Sequence, residues 1–194
     1  MNTNKIHCCI DLELEQPYTN HQTPDSQLNE ERIIQVGYVI YEIEPEFKVL
    51  EEVSEFINIG DIKLSEFIKN LTKISDDDIK SGTTLEKSYN KLVDLQKKYN
   101  FPRVIKQWGG GDMDCLRKEL PDVKWEFGRS GMNIKHLYQI YAEANGLNRS
   151  GGLSKCMGRC GLTWQGVGKH NAVIDALNTA RFHHFLYNKM KNKI

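Results

Sequence analysis

Residues Arg32 to Ile43 read RIIQVGYVIYEI, a run so rich in β-branched and aromatic side chains that it predicts a long strand. Lys5 to Leu14 predicts a strand before it and Glu52 to Ile59 a third after it. The first two are joined by a polar loop with two prolines, QPYTNHQTPDSQLNEE. The hydrophobic period then changes. Leu64, Phe67, Ile68 and Leu71 fit a short helix, and Ser75 caps another that opens on Asp76, Asp77 and Asp78, carboxylates suited to a helix N-terminus. Thr84 caps a helix over Leu85 to Lys98, Arg103 to Trp108 returns to strand, and Asp112 to Leu120 is helical until Pro121. Trp125 to Phe127 predicts a short strand, and helices follow over Asn133 to Asn145, Leu153 to Cys160 and Ala172 to Lys189. Hairpin-ready strands followed by strands alternating with helices predict an α/β fold with a mixed central sheet. A chain of 194 residues fits one domain, residues 1–194.

No apolar run approaches the roughly 18 residues of a membrane span, and the start, MNTNKIHCCIDLELE, carries acids where a signal peptide is apolar. The expectation is a soluble cytoplasmic protein with no membrane partner. Cys8, Cys9, Cys115, Cys156 and Cys160 are odd in number and lack a CxxC pair, so they predict reduced thiols. A zinc site on His7, Cys8, Cys9, Cys156 and Cys160 is disfavoured because adjacent strand residues face opposite ways. Charge balances at 26 Lys and Arg against 26 Asp and Glu, yet it is segregated. Residues 149–194 hold eight bases against one acid, Asp175. A one-sided basic region of this kind is what phosphate binding needs.

Three segments with acidic residues invite chemistry. Asp11 and Glu13 lie two apart at the end of an apolar strand and so face one point, where hard oxygen ligands favour Mg²⁺ or Mn²⁺. Asp112, in WGGGDMDCL, follows glycines that let a carboxylate be aimed at a site, and Asp114 competes for the role. In GVGKHNAVIDALNTARF, His170 precedes a helix and Asp175 sits in its first turns. Ala172, Asp175 and Thr179 share a face, so small side chains beside the acid would let that helix lie close to the strand bearing Asp11 and Glu13.

Taken together, D11-L-E13, Asp112 after a Trp-Gly strand end, and H170-x4-D175 resemble the DEDDh group of 3′ to 5′ exonucleases, DnaQ-like enzymes with a ribonuclease H-like fold. RIIQVGYVI resembles the family's second strand, LTKISDDDI its Leu-Thr-Gly-Ile segment, and LSKCMGRCGLTWQGVGKHNAVIDALNTA the approach to its last motif. The likeness runs in order from about residue 6 to 187. The spacing before Asp112 is similar to the RNA-trimming branch. Glu15 stands where many members have threonine, and Lys73 where they have glycine.

The resemblance implies a mixed sheet with helices on both faces and a catalytic set of Asp11, Glu13, Asp112, Asp175 and His170. The four carboxylates would bind two Mg²⁺ or Mn²⁺ ions, four negative charges matching four positive, and His170 would be the general base. It implies release of nucleoside 5′-monophosphates from single-stranded RNA or DNA 3′ ends, with RNA slightly favoured, and contact of Leu14 and Leu71 with the terminal base. The competing expectation is a non-catalytic nucleic-acid-binding or regulatory protein on the same fold.

Overall fold

A computed structural model describes residues 5–17 and 25–191. Five strands form one sheet: β1 (Ile6–Glu15), β2 (Arg32–Glu42), β3 (Lys48–Phe56), β4 (Lys106–Gln107) and β5 (Met132–Asn133). Their order is β3-β2-β1-β4-β5. β1, β2 and β3 pair antiparallel, whereas β4 joins β1, and β5 joins β4, in parallel. The register sets Asp11 opposite Gly37 and Glu13 opposite Gln35, and shifts between Glu13 and Leu14.

Seven helices accompany the sheet: α1 (Glu66–Thr72), α2 (Asp76–Ser81), α3 (Leu85–Tyr99), α4 (Asp112–Lys118), α5 (Ile134–Ala144), α6 (Leu153–Arg159) and α7 (Ala172–Lys191). β2 is buried from Ile33 to Tyr41 because helices cover both faces of the sheet. On one face Cys8, Ile10 and Leu12 pack with Leu85, Tyr89 and Leu92 of α3 and Leu116 of α4. On the other, Cys9, Val39 and Tyr41 meet Ala176, Leu177 and Ala180 of α7. This alternation along β1 is the ordinary period of a strand. It also separates Cys8 from Cys9, while Cys156 lies in a third cluster with α5 and α7, so the disfavoured zinc set does not assemble.

The expected caps are present. Ser75 and Asp78 form a reciprocal capping box at α2, and the Thr84 hydroxyl accepts from the Lys87 N–H at α3. α1 ends at Lys73 in the left-handed region, φ 66°, a conformation that favours glycine. Beneath α7 the Tyr41 hydroxyl meets His183 Nδ1 at 2.6 Å. Burial, aided by charge at His7, Lys106 and His184, pushes the His183 pKa down to about 3.

The sheet departs from expectation at its short edge. Trp125 to Phe127 is not a strand: Trp125 stacks on Tyr89 with ring centroids 5.1 Å apart and donates its indole N–H to the Gly128 carbonyl. The aromatic run is used for packing rather than for a ladder. Arg103 to Trp108 contributes only Lys106–Gln107 to the sheet, and its parallel neighbour, Met132–Asn133, directly precedes α5. The third strand begins earlier than expected, at Lys48. Part of the first loop, residues 18–24, and Lys193 of the basic segment lie outside the described residues. No helix among the described residues is long and apolar enough to cross a membrane.

Candidate active site

Asp11 and Glu13 continue the face of β1 that carries Cys9, so both carboxylates point toward α7. There they meet Asp175, one turn into the helix. One carboxylate oxygen from each of Asp11, Glu13 and Asp175 lies within 4.8 Å of the others. Three acids separated by up to 164 positions in sequence thus converge.

The start of α7 is fastened to the sheet by two residues of β2. Gly37 faces Ala172 so closely that a Cβ there would lie 2.2 Å from the Ala172 carbonyl carbon and 2.3 Å from the Val173 nitrogen. Only a hydrogen at that position lets the helix reach β2. Gln35, buried, accepts from the Ala172 N–H at 3.0 Å and donates to the Ser54 hydroxyl at 3.1 Å. It caps one of the four unpaired N–H groups of the helix. The Gln35 role is not visible in sequence, since Gln35 and Ala172 lie 137 residues apart. A glycine inside an otherwise β-branched strand was the available signal of close backbone approach.

His170 precedes α7 with φ 59°, and its backbone N–H donates to Asp175 Oδ2 at 2.9 Å. Asp112 opens α4 just after Gly111, whose φ of 122° is open to glycine and strained for other residues. Asp112 and its rival Asp114 are placed differently. Asp114 is exposed and bonded to Arg117 and Ser130, whereas the Asp112 carboxylate accepts from its own N–H and that of Leu12, beside Asp11.

Burial raises the pKa of all four acids, and the charge of neighbouring carboxylates raises Asp11 and Glu13 further. Asp11 is pushed well above the usual carboxylate range by burial first and then by the charges of Asp112, Asp175 and Glu13. Burial, then Asp175 and Asp112, raises Glu13 to about 8. Burial lifts Asp112 to about 7 against the pull of its two N–H donors. Asp175 is raised by burial, opposed first by the His170 N–H. Among the described residues none of these four partly or fully buried acids is in a salt bridge, although Lys169 and His170 lie near Asp175, and three of the acids have oxygens at ligand spacing, a set that fits hard divalent cations.

Beside Asp175 and His170 a cleft of about 340 Å³ is bordered by Ser154, Lys155, Trp164 and Lys169. Trp164 holds this rim by donating to the Gly168 carbonyl at 3.0 Å. Trp108 instead packs against Phe182, and Trp125 against Tyr89. Leu14 is half-buried against the core under α3 and α4, and Leu71 is half-buried beside Ile68 and Ile74. Neither borders the Asp175 cleft.

No protein-family model matches the chain, and no curated protein sequence does. Solved structures do match. The nuclease domain of 3′hExo, described as a DEDDh family member bound to rAMP, superposes with a TM-score of 0.78 at 18% identity, covering 97% of this chain and 94% of that one. Cell-death related nuclease 4 (CRN-4) gives 0.78 at 17% identity over 95% of this chain and 64% of that one. S. pombe Pop2p in its Mg²⁺- and Mn²⁺-bound form gives 0.59 at 19% identity over 94% and 82%. The chain therefore has the ribonuclease H-like fold of DEDDh 3′-exonuclease domains, as its motifs led one to expect.

Proposed function

We propose that this protein is a metal-dependent 3′ to 5′ exonuclease acting on single-stranded nucleic acid, with the chain working as one nuclease unit. The observation that carries this reading is the convergence of Asp11, Glu13 and Asp175 within ligand spacing, with Asp112 and His170 adjoining, on a fold shared with 3′-exonuclease domains. Asp11, Glu13, Asp112 and Asp175 would hold two Mg²⁺ or Mn²⁺ ions. Bound there, such ions acidify water and offset charge on the departing 3′ oxygen. His170, as a neutral imidazole, takes the proton of the attacking water on a ring nitrogen, and the product is a nucleoside 5′-monophosphate. The backbone N–H of His170 donates to Asp175 and ties this residue's main chain to the acid cluster. Lys155 and Lys169, on the rim of the cleft, bind phosphate, and Trp164 offers an apolar surface to a base.

RNA is favoured over DNA. Support comes from two similar structures, 3′hExo named with the ribonucleotide rAMP and a 3′-exonuclease named for recognition of the histone mRNA stem-loop, although Exonuclease X is named for 5′ overhanging duplex DNA. Leu14 and Leu71 remain proposed contacts of the terminal base, reached from the edges of their clusters.

The test is degradation of matched 5′-labelled RNA and DNA single strands with Mg²⁺, Mn²⁺ or EDTA. Stepwise shortening from the 3′ end, dependence on metal and release of 5′-monophosphates are expected, with RNA consumed faster. Intact strands under all metal conditions, from a folded protein, would overturn the proposal in favour of a binding protein.

A further inference from the structure

The outer side of α7 borders a second cleft, of about 320 Å³, among Phe47, Leu162, Arg181, His184, Phe185 and Lys189. None of its lining residues is acidic. Glu44, three residues before Phe47, is occupied by Lys191. Arg181 Nη1 donates to the Thr163 carbonyl at 2.8 Å and to Asn178 Oδ1 at 3.0 Å, which fixes the guanidinium without neutralising it. Among the described residues it has no carboxylate partner, and its Nε and Nη2 donors remain for a ligand. Lys189 Nζ stands 5.5 Å from the centroid of the Phe185 ring, and the Phe47 and His184 rings are 5.6 Å apart. Aromatic walls with uncompensated, pre-oriented cations suit a flat ring that carries a phosphate.

Residues 162–164 and helix α7 link this cleft to the one beside Asp175. Leu162 closes the first and Trp164 the second, so residues 162–164 form a common ridge, held at Thr163 by Arg181. Arg181 and Lys189 lie six and fourteen residues beyond Asp175 on one helix. At ~1.5 Å per residue those steps are about 9 and 21 Å. They equal about three to six nucleotides of a stacked strand at ~3.4 Å each.

We propose that this cleft binds an upstream nucleotide of the single strand whose 3′ end occupies the carboxylate site, with the base against Phe185 and Phe47 and the phosphate on Arg181 and Lys189. The inference rests on the exonuclease reading for what the neighbouring site holds. A dinucleotide stops short of the cleft, whereas ten nucleotides fill it.

The experiment measures anisotropy of 5′-labelled di- and decauridylate in EDTA, which blocks cleavage, for the wild type, Lys189→Glu and Arg181→Gln. Lys189 is exposed, so its variant tests charge without disturbing packing. The wild type binds the decamer at least about tenfold more tightly than the dimer. Each variant weakens decamer binding about tenfold, leaves the dimer unchanged, and lowers the salt slope by about 0.7 per lost phosphate contact. Lys189→Glu with wild-type decamer affinity, or an equal loss on both lengths, overturns the proposal. Decamer binding that is sensitive to Lys189→Glu, in a protein that cleaves nothing with Mg²⁺, refutes the exonuclease reading and leaves the cleft standing. Normal cleavage with no effect of either variant on decamer binding refutes the cleft alone.

Discussion

Replacing Gly37 by alanine adds one methyl group and removes no functional side chain, yet it strikes the seam on which the acidic cluster depends. The new Cβ would lie 2.2 Å from the Ala172 carbonyl carbon and 2.4 Å from its oxygen. Both are backbone atoms, so neither can rotate aside. α7 must retreat by about 0.8 Å merely to reach 3.0 Å, below which real Cβ contacts essentially never occur. Overpacking of this kind costs ~1–3 kcal/mol. Loosening the bond from the Ala172 N–H to Gln35 adds ~1 kcal/mol. The expected loss of about 2–4 kcal/mol is readable by urea denaturation. The same retreat carries Asp175 away from Asp11 and Glu13, and a ~1 Å displacement of a catalytic group costs about a hundredfold in rate. A useful control is Gly82→Ala, whose Cβ would meet the Phe56 oxygen at 2.6 Å on the far side of the sheet edge. It should destabilise comparably while the folded fraction keeps wild-type turnover. Gly37→Ala with an unchanged urea midpoint and turnover within twofold of wild type would refute the claim that a bare α-carbon at this position seats the helix.

Asp175→Asn keeps the acceptor for the His170 N–H but removes a carboxylate whose charge raises Asp11 and Glu13; the metal-free variant should melt higher than wild type, lack the rise in melting temperature expected of the wild type with Mg²⁺, and show no nuclease activity. Lys73→Gly relieves a left-handed residue at φ 66° and should add ~1 kcal/mol in chemical denaturation without changing turnover. His183 has its folded pKa depressed from 6.5 to about 3, so its contribution to stability is present above pH 6.5 and lost as pH falls toward 3. Between pH 7 and 5 the wild type should therefore lose about 2 kcal/mol more than His183→Gln, and denaturation curves that fall in parallel would show that the imidazole is not held neutral.

The acids were legible because their spacing is local. Asp11 and Glu13 are brought to one side by strand period alone, and Asp175 follows His170 by five residues, at the start of a helix with small neighbours. What remained hidden is pairing across distance. Gln35 gives no local sign that its amide will cap a helix 137 residues later, and the aromatic pattern of Trp125 to Phe127 serves a stack on Tyr89 as readily as a ladder. The two-residue β5 is too short for any period to declare itself, and its residues read as the approach to α5. The different surroundings of Asp112 and Asp114 depend on where the turn at Gly111 falls beside β1, which the sequence does not show.

The register of β1 against β2 has a consequence for recovering this protein from denaturant. Cys9, Asp11 and Glu13 share one side of β1 by strand period, and the register that sets Asp11 across from Gly37 turns that side toward α7. A hairpin closed one position out of step would turn all three away from α7 and bring a side chain to the place where only a hydrogen fits. Such molecules would carry near-native ellipticity and no nuclease activity. Specific activity after refolding would then count correctly threaded molecules, where circular dichroism counts threaded and slipped alike.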